Sequence, residues 1–514
     1  MKLTTRRIIV LAATIAVQLT LGMAYIWSAF QSGVAEYLFN GSQARAGLTF
    51  SLLLASLTIS SVFGGKLAAR FSTRIVVIVG GIIVSIGFFI AGFVRPEFGW
   101  LLWITYGVLG GAGMGFTYST TIACTQKWFP HKKGLITGFV VAALGFGTVV
   151  FTPVVELLVR NIGGPGNGIS YTFMVLSAIF LVVCVLGGAF MTNPPENYLQ
   201  ELGLEKLDCA ECEPAKHLQE EGGVVAEGSN APLADAVPVT DTTSETLSTP
   251  EFAVSNPSVA ESQDCHACNK PTVYAHHPPV RKVKKVKQSE FLQKNLTSSQ
   301  MLRTPYYYLI TLAFLFAVIG GLMVINFARP IAVLRDFESV AFVAVFAIGL
   351  SNSGGRLLWG AVSDKFGRLN TIFVLLGSTA VLAPFIVLVP SWGVFVFIAL
   401  IGLCYGGILA IFPALTAELF GTKNLATNYG FVLLGFGAGA VIASQIAGFF
   451  ANTATYYQDL GRMLPAFLIA MGCAIVAAGF MLAAKLVNWR SKVKFRRNQL
   501  LEQDAVEVGE PQVD

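Results

Sequence analysis

Long apolar runs separated by short polar turns fill most of this chain. Twelve such runs, each of roughly 20 residues, lie near 8–30, 46–66, 75–94, 100–123, 135–158, 169–191, 306–328, 340–362, 371–390, 392–416, 426–450 and 463–486. That length matches the hydrocarbon thickness of a bilayer at 1.5 Å rise per residue. Hydrocarbon offers no water to satisfy backbone polar groups, so each run is predicted to be a helix. The expected fold class is an all-α membrane protein with twelve transmembrane helices. The first run follows Lys2, Arg6 and Arg7 and imitates a signal peptide, but it is too long and lacks a clear cleavage site. It is read as a retained helix.

Composition agrees with lipid as the solvent. Of 514 residues, 54% are hydrophobic and 12% charged, with mean hydropathy +0.65, whereas a soluble domain carries about 25% charged residues. The net charge of +6 is modest. Lys and Arg fall in short clusters between apolar runs, so nucleic acid is not an expected partner; membrane lipid is.

Those clusters also predict orientation. Lys66, Arg70, Arg74, Lys127, Lys132, Lys133, Lys365 and Arg368 share one set of loops, together with Arg490, Lys492, Lys494, Arg496 and Arg497. The opposite loops are poor in Lys. Both termini are therefore expected in the cytoplasm, in a multi-pass protein of the cell (inner) membrane. The chain divides into a six-helix half (1–191), a central cytoplasmic loop (192–304), a second six-helix half (305–488) and a tail (489–514).

The halves echo one another. "GFVVAALGFG" (138–147) matches "GFVLLGFG" (430–437), which makes Phe146 and Phe436 look equivalent. "GGKLAARFSTR" (64–74) matches "WGAVSDKFGRL" (359–369). Two parallel halves would leave this pattern, with a binding site between them near the bilayer midplane.

Gly360-x-x-x-Asp364-Lys365-x-Gly367-Arg368 resembles the signature loop of the major facilitator superfamily in its complete form. The resemblance implies two pseudo-symmetric six-helix halves and a gating role for this loop. In the first-half copy Ala69 stands where the acid belongs and Ser72 where the second glycine belongs, which weakens that role there. "GMAYIWSAF" (22–30), "KWFPHKKGLITGF" (127–139), "NPPENY" (193–198), "MLRTPYYYL" (301–309), "SGGRLLWGAVSDKFGR" (353–368) and "FPALTAELFGTKNLATNYG" (412–430) resemble the oxalate/formate antiporter family, which is related to the monocarboxylate transporters. That resemblance covers nearly all of the membrane part and none of the central loop.

One charge stands out. With Asp364 at the cytoplasmic surface, Arg356 lies about 12 Å inward, close to the midplane of a ~30 Å core. A charge at that depth costs at least ~2.5–3.5 kcal/mol. The sequence places no Asp or Glu at comparable depth; Glu156 falls near the outer end of its helix, one turn from Arg160. A planar guanidinium matches a carboxylate bidentately, and Asn352 shares its helical face one turn earlier. The alternative is that Arg356 snorkels to the headgroups or bonds backbone carbonyls. The family resemblance implies the first reading, with Arg356 binding the substrate carboxylate. Further candidate cavity residues share helical stripes: Gln18, Gly22 and Tyr25; Gly111, Gly115 and Tyr118; Tyr405 beside Gly406 and Gly407. Interhelical packing is the alternative for each tyrosine. Trp27 and Phe30 are expected at an outer gate or the interfacial belt.

The resemblance also implies a limit on substrate. Oxalate-exchanging members carry a second buried cation, a lysine in helix eleven, and residues 428–450 here contain none. A dianion would leave one charge unpaired in a low-dielectric site. Formate, lactate or pyruvate therefore fits better than oxalate. No Asp, Glu or His sits at mid-membrane as a proton relay, so a proton entering with the substrate and exchange against a second anion both stay open.

The central loop changes character. "VPVTDTTSETLSTPEFAVSNPSVAESQ" reads as disordered, and "VRKVKKVK" (280–287) suits anionic lipid. Two CxxC pairs, Cys209 with Cys212 and Cys265 with Cys268, present four thiols that suit zinc. The spacing between pairs exceeds that of a compact zinc ribbon, so a redox dithiol and no site at all are the alternatives. Cys124, Cys184, Cys404 and Cys473 read as core. No cofactor is expected for transport.

The reading favoured by these residues is a secondary transporter of small monocarboxylates. A carboxylate-binding membrane sensor acting through the Cys-rich loop is the second. An exporter of cationic drugs is disfavoured by the positive cavity charge. No convergent nucleophile–base set suggests an enzyme.

Overall fold

The computed structural model describes residues 3–22, 27–130, 132–161, 164–195, 198, 295–335, 341–389 and 392–508. Several residues singled out in the sequence lie outside the described residues. They are Tyr25, the basic run 280–287, and the four thiols of the expected zinc site, Cys209, Cys212, Cys265 and Cys268. The side chains of Glu156 and Arg160 are outside them as well. Glu196–Ser289 forms one unit and the helical remainder of the chain another.

Each of the twelve apolar runs corresponds to helix. We label the long helices α1 (Leu3–Leu21), α2 (Gln43–Arg70), α3 (Thr73–Ala91), α4 (Gly111–Trp128), α5 (Lys133–Asn161), α6 (Gly164–Phe190), α7 (Pro305–Asn326), α8 (Ala341–Phe366), α9 (Arg368–Leu388), α10 (Gly393–Phe420), α11 (Leu425–Tyr457) and α12 (Leu464–Val508). Shorter helices occupy Trp27–Phe39, Ser298–Leu302 and Ala328–Leu334, and α4 is preceded by a π-helical turn over Trp103–Gly110. α12 continues through the boundary expected at 489.

Among the described residues, ten helices are long and apolar enough to cross a membrane. The other two long helices are α4, rich in Gly, Ser and Thr, and α8, which holds Asn352, Arg356, Asp364 and Lys365. Away from the helix ends their polar side chains turn into the bundle: Thr117, Thr121, Ser353 and Arg356 are all buried. That is where a membrane helix can hold them.

Turn chemistry closes the short connections. Ser72 caps α3 by accepting from Ile75 N–H. Gly367, at φ +87°, reverses the chain between α8 and α9 in a conformation that favours glycine.

Two seams join the halves, α5 against α8 and α2 against α11. Glycine lets backbones touch at both. A methyl at Gly138 would lie 2.6 Å from the Arg356 carbonyl oxygen, and one at Gly430 would lie 2.8 Å from that of Ser61. Lower down each seam, Gly145 faces Ser353 Oγ and Gly437 faces Thr58 Oγ1. The pairs Ser61/Arg356 and Thr58/Ser353 are each 295 positions apart, and Gly138/Gly430 and Gly145/Gly437 are each 292 apart. The doubling in the sequence is therefore a pseudo-twofold in space.

This register corrects one equivalence. Gly147 meets the Leu19 carbonyl as Gly439 meets that of Leu315, so Phe436 corresponds to Leu144 and not to Phe146. The sequence echo contains a two-residue difference in length and aligns from either end; packing selects the N-terminal alignment. Trp27 and Phe30 are also placed differently than expected. Both are buried in an aromatic cluster with Tyr106, Phe88 and Phe173 inside the first half.

Candidate functional site

Arg356 sits on α8 at the seam between the halves and is 5% exposed. Its Nε donates to Asn352 Oδ1 at 3.0 Å, and its Nη1 donates to the Val141 carbonyl on α5 at 2.7 Å. Asn352 in turn donates from Nδ2 to the Gly402 carbonyl on α10 at 3.3 Å. One guanidinium thus ties α8, α10 and α5 together. The approach to α5 depends on Gly145, four residues after Val141. A Cβ there would lie 3.3 Å from Arg356 Cζ, besides meeting Ser353 Oγ. The backbone-carbonyl bond foreseen as the alternative role of Arg356 is present. It holds the charge inside the bundle rather than at its end.

Tyr118 on α4 is buried, within electrostatic reach of Arg356. Its ring centroid is 6.3 Å from that of Tyr429 on α11. Tyr429 was missed in the sequence. Its only signal was its place after Asn428 at the start of α11, on the turn preceding Gly430, which packs on α2. The pair brings tyrosines from opposite halves together, with Tyr118 in electrostatic reach of the arginine.

Gln18 on α1 is fully buried. Its Nε2 donates to Thr121 Oγ1 at 2.8 Å and toward the Tyr118 carbonyl at 3.4 Å, so it braces the backbone that carries Tyr118. Its Oε1 makes no hydrogen bond among the described residues. The Tyr405 ring lies against Gly321 of α7, whereas the next residue, Gly406, is the one pressed on α8 at Asn352. The structure therefore brings Arg356, Asn352 and Tyr118 to one place, with Gln18 behind Tyr118 and Tyr405 directed to a different helix.

The signature loop is assembled at the basic end of the bundle. Asp364 accepts from Gly134 N–H at 3.0 Å and Leu135 N–H at 2.8 Å, the first turn of α5 in the other half. Arg368 donates to Asp364 at 3.0 Å and to Glu418 on α10 at 2.7 Å. Gly360 admits the Gly134 carbonyl, 2.7 Å from where its Cβ would be. Lys365 is exposed. A carboxylate on a helix N-terminus meets both free N–H groups and the positive end of the helix dipole. Partly exposed as it is, this latch is worth about 1–2 kcal/mol.

Comparison with known proteins places this geometry in a family. The family model described as Major Facilitator Superfamily matches residues 11–444, and again 343–501. The chain is 25% identical over 443 residues to the oxalate:formate antiporter of Oxalobacter formigenes, covering 82% of each. It is 23% identical over 495 residues to monocarboxylate transporter 9 of Pongo abelii, covering 92% of this chain and 90% of that one. Among solved structures it resembles the proton:xylose symporter XylE, with TM-score 0.61 and 13% identity over 94% of this chain and 96% of that one. At that identity the likeness shows the fold alone.

Proposed function

The chain belongs to the Major Facilitator Superfamily, and on that premise we propose that it carries small monocarboxylates of the formate, lactate or pyruvate type across a membrane. The observation that carries this reading is the Arg356 guanidinium, buried at the seam and hydrogen-bonded to a helix of each half. A carboxylate arriving there meets a fixed positive charge at low dielectric, where attraction is far stronger than in water. Asn352 holds Nε and so orients the planar fork. Tyr118, in electrostatic reach of Arg356, and Tyr429 against it supply hydroxyl-bearing rings from the two halves.

The same bond offers a coupling between binding and motion. A carboxylate taking Nη1 replaces the Val141 carbonyl, which removes one of the ties between α5 and α8. Cargo then loosens the seam that must open when the two halves rock. Residues 428–450 of α11 hold no lysine, where a second buried cation would favour a dianion, and one cation suits a monoanion. Orientation with both termini in the cytoplasm follows from the basic loops.

The test is uptake into proteoliposomes. Labelled formate, lactate, pyruvate and oxalate are offered to wild type and to Arg356→Gln, with and without a pH gradient and with and without internal anion. Monocarboxylate uptake by wild type and its loss in Arg356→Gln is the expected result. Stimulation by the gradient identifies proton coupling; dependence on internal anion identifies exchange. Carboxylate binding without uptake would instead support the sensor reading.

A further inference from the structure

The two seams are pseudo-equivalent, yet the acids at the basic end of one have no counterpart at the other. At the α5/α8 seam Asp364 meets the first turn of α5, and Arg368 bridges it to Glu418. At the α2/α11 seam the same 295-residue register puts Ala69 in place of Asp364 and Thr73 in place of Arg368. Gly115 and Gly406 meet the Leu57 and Asn352 carbonyls alike, and the 291-residue register they define puts Lys127 in place of Glu418. Both acids of the intact latch are therefore gone, one exchanged for a methyl and one for an ammonium.

Among the described residues, no side chain fills the position. Asn424, at the N-cap of α11, makes no side-chain cap and spends its amide on the Leu296 carbonyl. A pocket of about 30 Å³ opens there, lined among others by Gly65, Ala69, Thr120, Lys127, Lys423 and Thr427. No Asp or Glu lines it among the described residues. The Thr427 amide nitrogen stands directly over Gly65, whose missing Cβ keeps the approach open. Thr120 is 1% exposed, and its Oγ1 has no hydrogen-bond partner among the described residues.

We propose that a small monovalent inorganic anion of the chloride class binds this pocket between Lys127, Lys423, Thr120 and the first turn of α11, replacing the carboxylate that Ala69 lacks. The chemistry is that of the intact latch with the negative charge supplied from solution. A helix N-terminus and two ammonium groups attract an anion, and a buried hydroxyl without an acceptor needs one. The volume admits one or two water-sized species, which excludes a phosphodiester headgroup. Bound there, the anion pins α2 to α11 as Asp364 pins α8 to α5. Closure of the bundle at this end then depends on ambient anion at one seam only.

The experiment uses the full-length chain purified in neutral detergent. Thermal unfolding is followed while chloride replaces gluconate at constant ionic strength, with bromide as a second probe. The expected result is a saturable rise in Tm for both halides. Lys127→Met removes one charge-assisted contact and raises the half-saturating chloride concentration about tenfold. Ala69→Asp supplies the carboxylate in place; its Tm in gluconate is raised and it no longer responds to chloride. Should Ala69→Asp fail to fold, Lys423→Met joins Lys127→Met as the second variant, with the same weakening. Arg356→Gln retains the halide response, so loss of carboxylate binding is read separately. A Tm indifferent to chloride, a response equal in wild type and both lysine variants, or stabilisation by anionic lipid alone overturns the proposal.

Discussion

Arg356 Nη1 donates across the seam to the Val141 carbonyl at 2.7 Å, joining the candidate cargo residue of one half to the backbone of the other. Every contact that lets the two helices come this close becomes a control point for the site.

Gly145 is the first. Its missing Cβ leaves room for Ser353 Oγ and for the guanidinium. Gly145→Ala is expected to push α5 off α8 and to lower uptake at least tenfold. Ser353→Ala removes the oxygen that the new methyl strikes, so the double variant is expected to regain most of the activity. A double-mutant cycle on uptake measures the coupling; additive losses would show that the crowding argument is wrong.

Asn352 is the second. Asn352→Asp places a carboxylate within about 3 Å of Nε, given the present bond at 3.0 Å. An internal ion pair then competes with the substrate. Substrate affinity is expected to fall by about tenfold or more while Tm holds or rises. Isothermal binding of pyruvate beside a melting curve checks both halves of that statement. Asn352→Ala, which leaves Nε without this acceptor, is expected to lower Tm as well.

The Asp364 latch is the third. Asp364→Asn keeps the shape but loses the charge that meets the α5 N-terminus and Arg368. A loss of about 1–2 kcal/mol is expected, with the population shifted toward the state in which this end is open. Alkylation of a cysteine introduced at Ser363, 1% exposed beside Arg368, reports the opening. A rate unchanged by Asp364→Asn would remove the gating role of this loop.

Much of this was legible in the sequence, and the reasons are physical. Hydrocarbon leaves a backbone almost no choice, so twelve apolar runs became helices. Arg356 stood out because its depth made it costly, and Asn352 because four residues on a helix share a face. The Asp364 loop carried its own motif. What the sequence hid were contacts across the fold. Tyr429 reaches Tyr118 only because α2 and α11 pack along glycines. Val141 offers a backbone atom, which no residue type announces. Tyr405 sits next to a glycine pressed on α8 yet turns to α7, since adjacent helical residues lie about 100° apart. The pseudo-equivalence of Lys127 and Glu418 required a register that packing alone fixed.

The most direct test of the central claim is equilibrium binding of formate, lactate, pyruvate and oxalate to the purified chain, comparing wild type with Arg356→Gln and Arg356→Lys. The account predicts that the monocarboxylates bind wild type more tightly than oxalate does. It also predicts that Arg356→Gln weakens them by about 10- to 150-fold at unchanged fold, the size of a lost charge-assisted contact of ~1.5–3 kcal/mol. Arg356→Lys, a point charge without the fork, is expected to fall between the two. Monocarboxylate affinity that survives Arg356→Gln would contradict the assignment of Arg356 as the cargo site.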